Sequence, residues 1–502
     1  MKRLLCLLFA FCLVFSMVPA VQIFAAEPVT VYMDPKKGNN ETGDGSYESP
    51  VQNFTTAYTF LQNGGGTIVM LSTVYYAGAV TLPACPYPVT IRAENSADGI
   101  RTGSNFIVSG DTTLEHMTFT HLKASPATLI SGNGHKLTMG EDLTFFPFED
   151  ETDTYYFCLQ GGHPSAAVEN TDLTVLSGQY RNIYAGSYSK SATGSSKLTM
   201  LGGTAATVAA GYSSTTGGDV EITLGGTATV TGNIYSGSWS KGDVNGNVTV
   251  NLQQGAKVNN VFAAGNGSGS VLGNVTVNLD GYENTLGILK GSGNTSHTGT
   301  IGSSRLVLKS GTQQKKPTNF DVIEIDIPEN KTLKLTKSLT ADTLKSAGTL
   351  VFSGAASLTA KSVSGSVICE IEGEVLKNQP YITAPAGSRI TFPEDTGITE
   401  NNGVWENRDL ETFAGLVLKA EKNIKLNLYD GIWAQGTDTV YTVVAPYHTE
   451  SIDGYSCYYY PNLQGRFHVR ASRSGYITLY KNIYMSEAEA AAKTVEQITL
   501  EK

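Results

Sequence analysis

The sequence has 502 residues, of which 40% are hydrophobic and 16% are charged, and it contains 54 glycines. The apolar fraction is sufficient for a folded core, and the low charge density excludes a disordered chain. The formal net charge of −10 and the absence of basic tails argue against electrostatic binding to nucleic acid.

The N-terminus has the pattern of an export signal. Lys2 and Arg3 precede a nearly unbroken apolar stretch over residues 4–18, and cleavage is predicted after Ala25 or Ala26. An N-terminal membrane anchor is the alternative, although the apolar stretch is short for one. No later stretch reaches the ~20 apolar residues of a membrane-spanning helix. We therefore expect a secreted or extracellular monomer with no membrane span.

The segment that follows predicts strands and one short helix. Residues 29–34 and 88–92 have strand character, and a Gly43-Asp-Gly-Ser46 loop lies between them. Residues 54–61 place apolar side chains at i, i+3, i+4 and i+7, which is typical of an amphipathic helix. The side chains on that apolar face are Phe54, Ala57, Tyr58 and Leu61.

The middle of the chain repeats one strand motif. Its clearest copies are Asp172-Leu-Thr-Val-Leu-Ser-Gly178, Lys197-Leu-Thr-Met-Leu-Gly-Gly203, Asp219-Val-Glu-Ile-Thr-Leu-Gly-Gly226, Asn247-Val-Thr-Val-Asn-Leu252 and Asn274-Val-Thr-Val-Asn-Leu279. Counted at the first apolar residue, the spacings are 25, 22, 28, 27 and 31 residues, through Leu173, Leu198, Val220, Val248, Val275 and Leu306. Such a unit cannot bury its apolar face alone, but stacked copies can.

The period-two alternation of the motif assigns its side chains to two faces. Leu173 and Val175 would point into the core and Thr174 away from it. The outward threonines would form one vertical ladder, interrupted by Glu221: Thr174, Thr199, Thr249 and Thr276. The glycines that end the strands are expected to adopt positive φ at corners: Gly178, Gly203 and Gly226.

Residues 29–92 resemble the entry segment of the pectin-lyase-like family of right-handed parallel β-helices, and the repeats to about residue 310 resemble its coils more loosely. The resemblance implies that the helix over residues 54–61 caps the open end of the solenoid. The predicted fold is therefore all-β: a right-handed parallel β-helix with an N-terminal capping helix and a small C-terminal β-module.

The domain boundaries follow from changes in pattern. Residues 1–26 form the signal, 27–318 the β-helix, and 319–430 either its β-rich continuation or a second β-module. Residues 431–502 are rich in tyrosine and predict a separate β-module that seals the solenoid or, alternatively, binds a ligand. There, Ser486 and Glu489 predict a capping box for a short helix.

A second motif carries aromatic side chains. If its small apolar residues face inward, Tyr184, Tyr235 and Phe262 face outward, and further rings lie just beyond the corner glycines. A row of aromatic faces can stack on sugar rings, but a structural ladder of rings or a surface covered by a loop is the favoured interpretation. The candidate ligand-binding residues are Tyr184, Tyr188, Tyr212, Tyr235, Trp239 and Phe262.

Catalysis by a β-helix of this family requires basic or acidic side chains that are grouped on one face. The resemblance implies polysaccharide cleavage with a Lys or Arg base and calcium-binding carboxylates, and similar glycosidases use paired carboxylates. In the repeats, Asp219 and Glu221 share one strand face, but Lys197 one repeat away favours a surface ion pair. No catalytic residue is assigned.

The acidic, histidine and cysteine residues do not predict a metal site or favour a disulfide. The acidic residues 149–153 could bind calcium or form a solvated loop, and the histidines have no metal-ligand spacing, so no metal site is predicted. Cys85, Cys158, Cys369 and Cys457 favour buried thiols over disulfides.

The sequence thus predicts an adhesin-like extracellular scaffold that binds a polysaccharide or cell-surface glycan without catalysis and without a cofactor. The alternative is a secreted polysaccharide lyase or glycoside hydrolase.

Overall fold

The computed structural model describes residues 28–151, 153–410, 413–435 and 440–501, so the predicted export signal lies outside the described residues. Strands make up 50% of the structure and helices 3%, and the strands form long parallel sheets. The all-β prediction is confirmed. The chain divides into two compact units, Met1–Leu333 and Lys334–Lys502.

Sheet 1 is the longest sheet of the first unit. Its strands within this unit, in spatial order, are Val29–Met33, Gly66–Met70, Val89–Ala93, Thr112–Glu115, Lys136–Met139, Thr171–Val175, Ser196–Met200, Val220–Leu224, Val248–Gln253, Val271–Asp280, Ile301–Leu308 and Val322–Ile327. Each neighbouring pair is parallel. Because the spatial order is also the chain order, each strand lies between the preceding and the following copy of the repeat.

Sheet 2 and sheet 3 are built in the same way. Sheet 2 contains Val80–Thr81, Phe106–Ile107, Leu129–Ser131, Cys158–Gln160, Gln179–Tyr184, Thr204–Gly211, Thr229–Ser238, Lys257–Phe262 and Ile288–Lys290. Sheet 3 contains Val74–Tyr76, Gly99–Thr102, Met117–His121 and Leu143–Phe146. An antiparallel hairpin, Phe148–Glu149 with Thr154–Tyr155, and the strand Gly311–Gln313 complete the unit.

The repeat motif places its side chains as the alternation predicts. Leu173 and Val175 are fully buried, and Thr174 on the opposite face is partly exposed. The corner glycines have positive φ, at +98° for Gly178, +75° for Gly203 and +58° for Gly226. The apolar residues of sheet 1 therefore supply the core, and the glycines end the strands where other residues would be strained.

The register differs from the sequence alignment at the third copy. Leu198 pairs with Ile222 and not with Val220, and Leu306 pairs with Val277 and not with Val275. The spacings after Leu198 are therefore 24, 28, 27 and 29 residues, through Ile222, Val250, Val277 and Leu306. A shift of two residues keeps every side chain on the same face, so the burial pattern could not reveal it.

The helix near the N-terminus forms at Phe54–Leu61, as predicted. The side chain of Asn53 accepts a hydrogen bond from the Thr56 N–H and so caps the first turn. The four apolar side chains of its predicted face are buried: Phe54, Ala57, Tyr58 and Leu61.

The second unit begins with narrower layers. Parallel pairs join Leu339–Ala341 to Leu358–Ala360, Thr343–Ser346 to Val363–Ser364, and Thr349–Ser353 to Ser366–Glu372, in each case with partners 19 residues apart. The remaining elements here are Thr332–Leu335, which spans the division between the units, Pro380–Thr383, Arg389–Thr391, Thr399–Asn401, Val404–Glu406 and the 3₁₀ helix Glu394–Thr396.

The C-terminal part of the second unit is a pair of sheets around one core. Sheet 4 contains His448–Ile452, Tyr455–Pro461, Gly415–Glu421 and Lys493–Ile498, and sheet 5 contains Val443–Val444, Lys425–Asp430, Gly465–Ser472 and Leu479–Met485. Side chains from both sheets share a cluster that includes Leu418, Leu428 and Val469. The expected boundary at residue 431 thus lies within the sequence that forms these sheets.

Two local predictions are confirmed. A helix forms at Glu487–Ala490 with the capping box between Ser486 and Glu489. The cysteines are free and buried: Cys85, Cys158, Cys369 and Cys457.

No helix within the described ranges is long and apolar enough to span a membrane.

Candidate functional site

An open groove of about 480 Å³ crosses the first residues of four successive strands of sheet 1. We call it the sheet 1 groove. Its lining residues are polar or charged in type except Val220, and they are Asn170, Thr171, Asp172, Ser195, Ser196, Lys197, Asp219, Val220, Glu221, Asn247 and Thr249. The repeat thus presents similar hydroxyl, amide and charged groups at intervals of one strand spacing, about 4.8 Å.

One column of side chains on sheet 1, which crosses the groove at three of its four residues, alternates in charge. Lys136, Asp172, Lys197 and Glu221 pair in register on consecutive strands. Lys197 Nζ lies 3.9 Å from Glu221 Oε2, and both side chains are about half exposed. Opposite charges on adjacent strands attract, so the column stabilises the stacking. The ion pair expected from the sequence is confirmed.

The threonine ladder expected from the sequence is wrong in part. Thr174 pairs with Thr199, but Thr199 continues to Thr223, while Thr249 pairs with Glu221 in the charged column. The outward face therefore carries two columns and not one. The cause is the two-residue shift of register at the third copy, which moves a side chain along its strand without changing its face.

Three of the groove oxygens already have structural partners. Asn170 Oδ1 accepts a hydrogen bond from the Ser195 N–H at 2.8 Å, and Asp219 Oδ1 accepts one from the Asn247 N–H at 2.8 Å. Asn247 Oδ1 in turn accepts one from the Asn274 N–H at 3.0 Å. Each bond ties one layer to the next, so these side chains hold the start of the strand in register.

The two carboxylates that share a strand face do not have the environment of a glycosidase pair. A general acid of that kind is held in an apolar, buried site. Asp219 bonds to the backbone of the next layer, and Glu221 is 48% exposed beside Lys197. Both carboxylates thus have roles in the stacking of the layers. Among the residues that the structure describes, no group of three or more His, Cys, Asp or Glu side chains could hold a metal ion.

The acidic residues 149–153 lie at the antiparallel hairpin. The Asp153 carboxylate forms an ion pair with Arg181, at 3.0 Å between Oδ2 and Nη2. Arg181 also lies over the ring of Tyr155, 5.8 Å from its centroid. The Asp153 carboxylate is therefore paired with a guanidinium group that also packs on an aromatic ring.

The candidate aromatic residues come together, but not as an open surface. Tyr184, Tyr235 and Phe262 are 1%, 2% and 4% exposed, so the expectation that they present free faces is wrong. They form one cluster with Leu129, Cys158 and Ala209. Tyr235 and Phe262 stack at 5.4 Å between ring centroids.

Tyr188, Tyr212 and Trp239 cover this cluster and are themselves partly buried. Tyr188 stacks on Tyr212 at 4.3 Å between centroids, and Tyr212 stacks on Trp239 at 5.0 Å. Burial raises the pKa of the Tyr188 hydroxyl to about 12. The faces of the central ring are therefore occupied by its neighbours, as in the structural ladder that the sequence favoured over sugar binding.

Alternation correctly indicated that the inner rings point away from the core, but it could not show that the next segment folds over them. The backbone N–H of Tyr188 donates to Gln160 Oε1 at 2.7 Å, and the N–H of Trp239 donates to the Gly211 carbonyl at 2.8 Å. The Trp239 bond continues the parallel backbone pairing past the corner, and the Tyr188 bond ties that corner to a glutamine side chain of the preceding layer, so that the second aromatic layer lies over the first.

Comparison with protein-family models, with curated proteins and with solved structures returned no match.

Proposed function

We propose that the chain is an exported, right-handed parallel β-helix of the pectin-lyase-like kind that binds carbohydrate in the sheet 1 groove without catalysis. The consecutive parallel pairing of sheets 1 to 3 supports a solenoid. Parallel strands of one sheet are almost always joined by right-handed connections, which supports the handedness. The buried face of the helix Phe54–Leu61 supports a cap at the N-terminal end, and the pattern of residues 1–26 supports export.

The observation that carries the proposal is the chemistry of the groove. Its hydroxyl, amide, carboxylate and ammonium groups can donate and accept hydrogen bonds with sugar hydroxyls, and they recur on successive strands. A repeating row of such groups suits a polymer. The groove is open, which distinguishes it from the concave pockets that enclose small ligands.

The test is a glycan array together with a polysaccharide digestion screen, using residues 27–502. For a glycan that binds, Lys197→Ala and Glu221→Ala should each raise the Kd about ten-fold, because each removes a charged hydrogen-bonding group. Lys136→Ala is the matched control, since Lys136 belongs to the same charged column but does not line the groove.

Two results would contradict the proposal. Equal affinities of the parent protein and both groove variants would exclude the groove as the site. Accumulation of an unsaturated uronate product, abolished by Lys197→Ala, would show that the protein is a lyase and that binding is only its first step.

A further inference from the structure

The two C-terminal sheets differ in what covers their outer faces. The outer face of sheet 4 is buried in a second cluster, in which Val417 and Tyr459 pack with Phe413 and Leu410. The outer face of sheet 5 carries exposed side chains along its strands, among them Asn427, Arg470 and Tyr484. In the described part of the second unit, sheet 5 therefore has a face that is open to a ligand.

Aromatic rings lie along that face. Trp433, from the segment after the strand Lys425–Asp430, stacks on Tyr480 at 4.4 Å between centroids and remains partly exposed. Asn482 fixes the Trp433 backbone in both directions, since its Oδ1 accepts from the N–H at 2.9 Å and its Nδ2 donates to the carbonyl at 3.2 Å. The indole is thus held in place over the sheet.

A second group of rings lies beside the first. Tyr429 stacks on His468 at 4.9 Å, and Tyr441 meets the same imidazole edge-on at 4.4 Å. His468 Nδ1 donates to the Gly431 carbonyl at 2.9 Å, which fixes the orientation of the imidazole. The face therefore offers partly exposed aromatic surfaces that are already ordered, so that little conformational entropy would be lost on binding.

The charges on the two sheets are segregated. The strands of sheet 5 carry four basic residues and one acidic residue, namely Lys425, Arg466, Arg470 and Lys481 against Asp430. The strands of sheet 4 carry two basic and three acidic residues, namely Lys419 and Lys493 against Glu421, Glu450 and Glu496. A negatively charged ligand would therefore approach sheet 5 in preference to sheet 4.

Three of the basic side chains of sheet 5 have no ion pair among the described residues, namely the exposed Lys425, Arg466 and Arg470. Lys481 pairs with Glu496 and Arg473 with Glu421, whereas among the described residues no ion pair joins Arg466 or Arg470 to a carboxylate. Arg470 lies over the ring of Tyr480, 5.8 Å from its centroid. On one strand, positions 466 and 470 lie on the same face and about 13 Å apart.

We propose that the outer face of sheet 5 binds an oligosaccharide that carries carboxylate groups at intervals along its chain. The rings of Trp433 and Tyr429 contact the apolar C–H faces of the sugars, and the guanidinium groups of Arg466 and Arg470 each form paired hydrogen bonds with a carboxylate. The alternation of aromatic and cationic side chains matches the alternation of apolar faces and acidic groups in such a polymer.

The charge count favours this ligand over a nucleic acid. Binding to a phosphate backbone relies on neutralising many closely spaced charges. Among the described residues, the strands of this sheet carry two unpaired guanidinium groups and the Lys425 ammonium group, and the whole chain has a formal net charge of −10. Sparse carboxylates therefore fit the face better than a continuous row of phosphates.

This site is independent of the sheet 1 groove, because it consists only of residues of the second unit. The test uses residues 27–502 and titration calorimetry with hyaluronan oligosaccharides, which carry one carboxylate in each disaccharide. Uncharged oligomers of N-acetylglucosamine are the matched ligand. Hyaluronan oligosaccharides should bind more tightly than the uncharged oligomers, and added salt should weaken their binding.

The variants separate the two kinds of contact. Arg470→Ala and Trp433→Ala should each raise the Kd for hyaluronan oligosaccharides about ten-fold or more. Arg470→Lys should recover part of the loss because it keeps the charge but not the paired geometry, and Trp433→Phe should recover part because it keeps a ring. Arg473→Ala removes the same charge from a paired side chain and should leave the affinity unchanged, as should the groove variant Glu221→Ala. Unchanged thermal unfolding of each variant excludes misfolding as the cause.

Several outcomes would overturn the inference. They are the absence of binding by the parent protein, equal binding of charged and uncharged oligomers, equal effects of Arg470→Ala and Arg473→Ala, and tighter binding of a single-stranded oligonucleotide that competes with the glycan. Loss of hyaluronan binding through Glu221→Ala alone would move that ligand to the sheet 1 groove and leave the proposal for the groove intact.

Discussion

Replacing Tyr184 by alanine tests whether the aromatic cluster stabilises the fold or binds a ligand. The Tyr184 side chain is 1% exposed and meets the rings of Tyr188 and Tyr212 edge-on, at 5.7 and 5.8 Å between centroids. Removal of a buried aromatic side chain costs about 3–5 kcal/mol, because apolar burial is lost and a cavity remains. In a unit of this size each kcal/mol lowers the Tm by about 2 °C, so we expect a decrease of roughly 6–10 °C.

The assay is thermal and denaturant-induced unfolding of residues 27–502, followed by circular dichroism. Tyr184→Phe keeps the ring and should cost less than about 1.5 kcal/mol. Tyr75→Ala is the matched control, since Tyr75 is 67% exposed and its loss should change the stability by less than about 0.5 kcal/mol. Equal denaturant slopes for all variants would show that the difference lies in the native state.

The reasoning would be refuted if Tyr184→Ala unfolded at the same temperature as the parent protein and lost affinity for a glycan. That result would mean that the ring is accessible in solution and contributes binding energy. A large loss of stability with unchanged affinity at temperatures where the variant is folded would confirm the structural role.

Three further outcomes are expected. Burial lowers the pKa of His121 to about 4, so the folded state resists the protonation that the unfolded chain accepts near pH 6.5. The free energy of unfolding should therefore fall by at most about 3 kcal/mol as the pH decreases from 6.5 to 4. Denaturation midpoints measured across this pH range should change less for His121→Leu than for the parent protein. Glu221→Gln should lower the free energy of unfolding in urea by less than about 1 kcal/mol, since the ion pair with Lys197 is half exposed. Lys197→Glu should lower it further, because it places like charges on three successive strands. Thiol titration of unfolded residues 27–502 should find four free thiols, and a reductant should leave the Tm unchanged; fewer thiols would reveal a disulfide.

The fold class could be predicted because its signals are local. The alternation in the strand at Thr171–Val175, the positive φ of Gly178 and the capping box at Ser486 each depend on a few neighbouring residues. The same holds for the helix Phe54–Leu61, whose apolar face follows from its spacing alone. Such patterns survive any arrangement of the rest of the chain.

The register and the candidate sites depend on pairings between distant residues. If Leu198 paired with Val220 instead of Ile222, every side chain would still lie on the same face of the sheet. The sequence therefore could not show whether the outward face carries one column of threonines or a second column of alternating charge as well. The same limit applies to the contact between Arg470 and the ring of Tyr480, which arises because these residues pair across neighbouring strands of sheet 5.

The sequence by itself determined which side chains face the core: the period of two fixes the face of Leu173, Thr174 and their equivalents before any neighbour is known. Only the tertiary structure decided which outward side chains remain open to a ligand. Tyr184 points away from the core and is nevertheless buried, because Tyr188 and Tyr212 from adjacent layers close over it. Exposure depends on what the whole chain places above a residue, and that is a property of contacts between layers and not of local pattern.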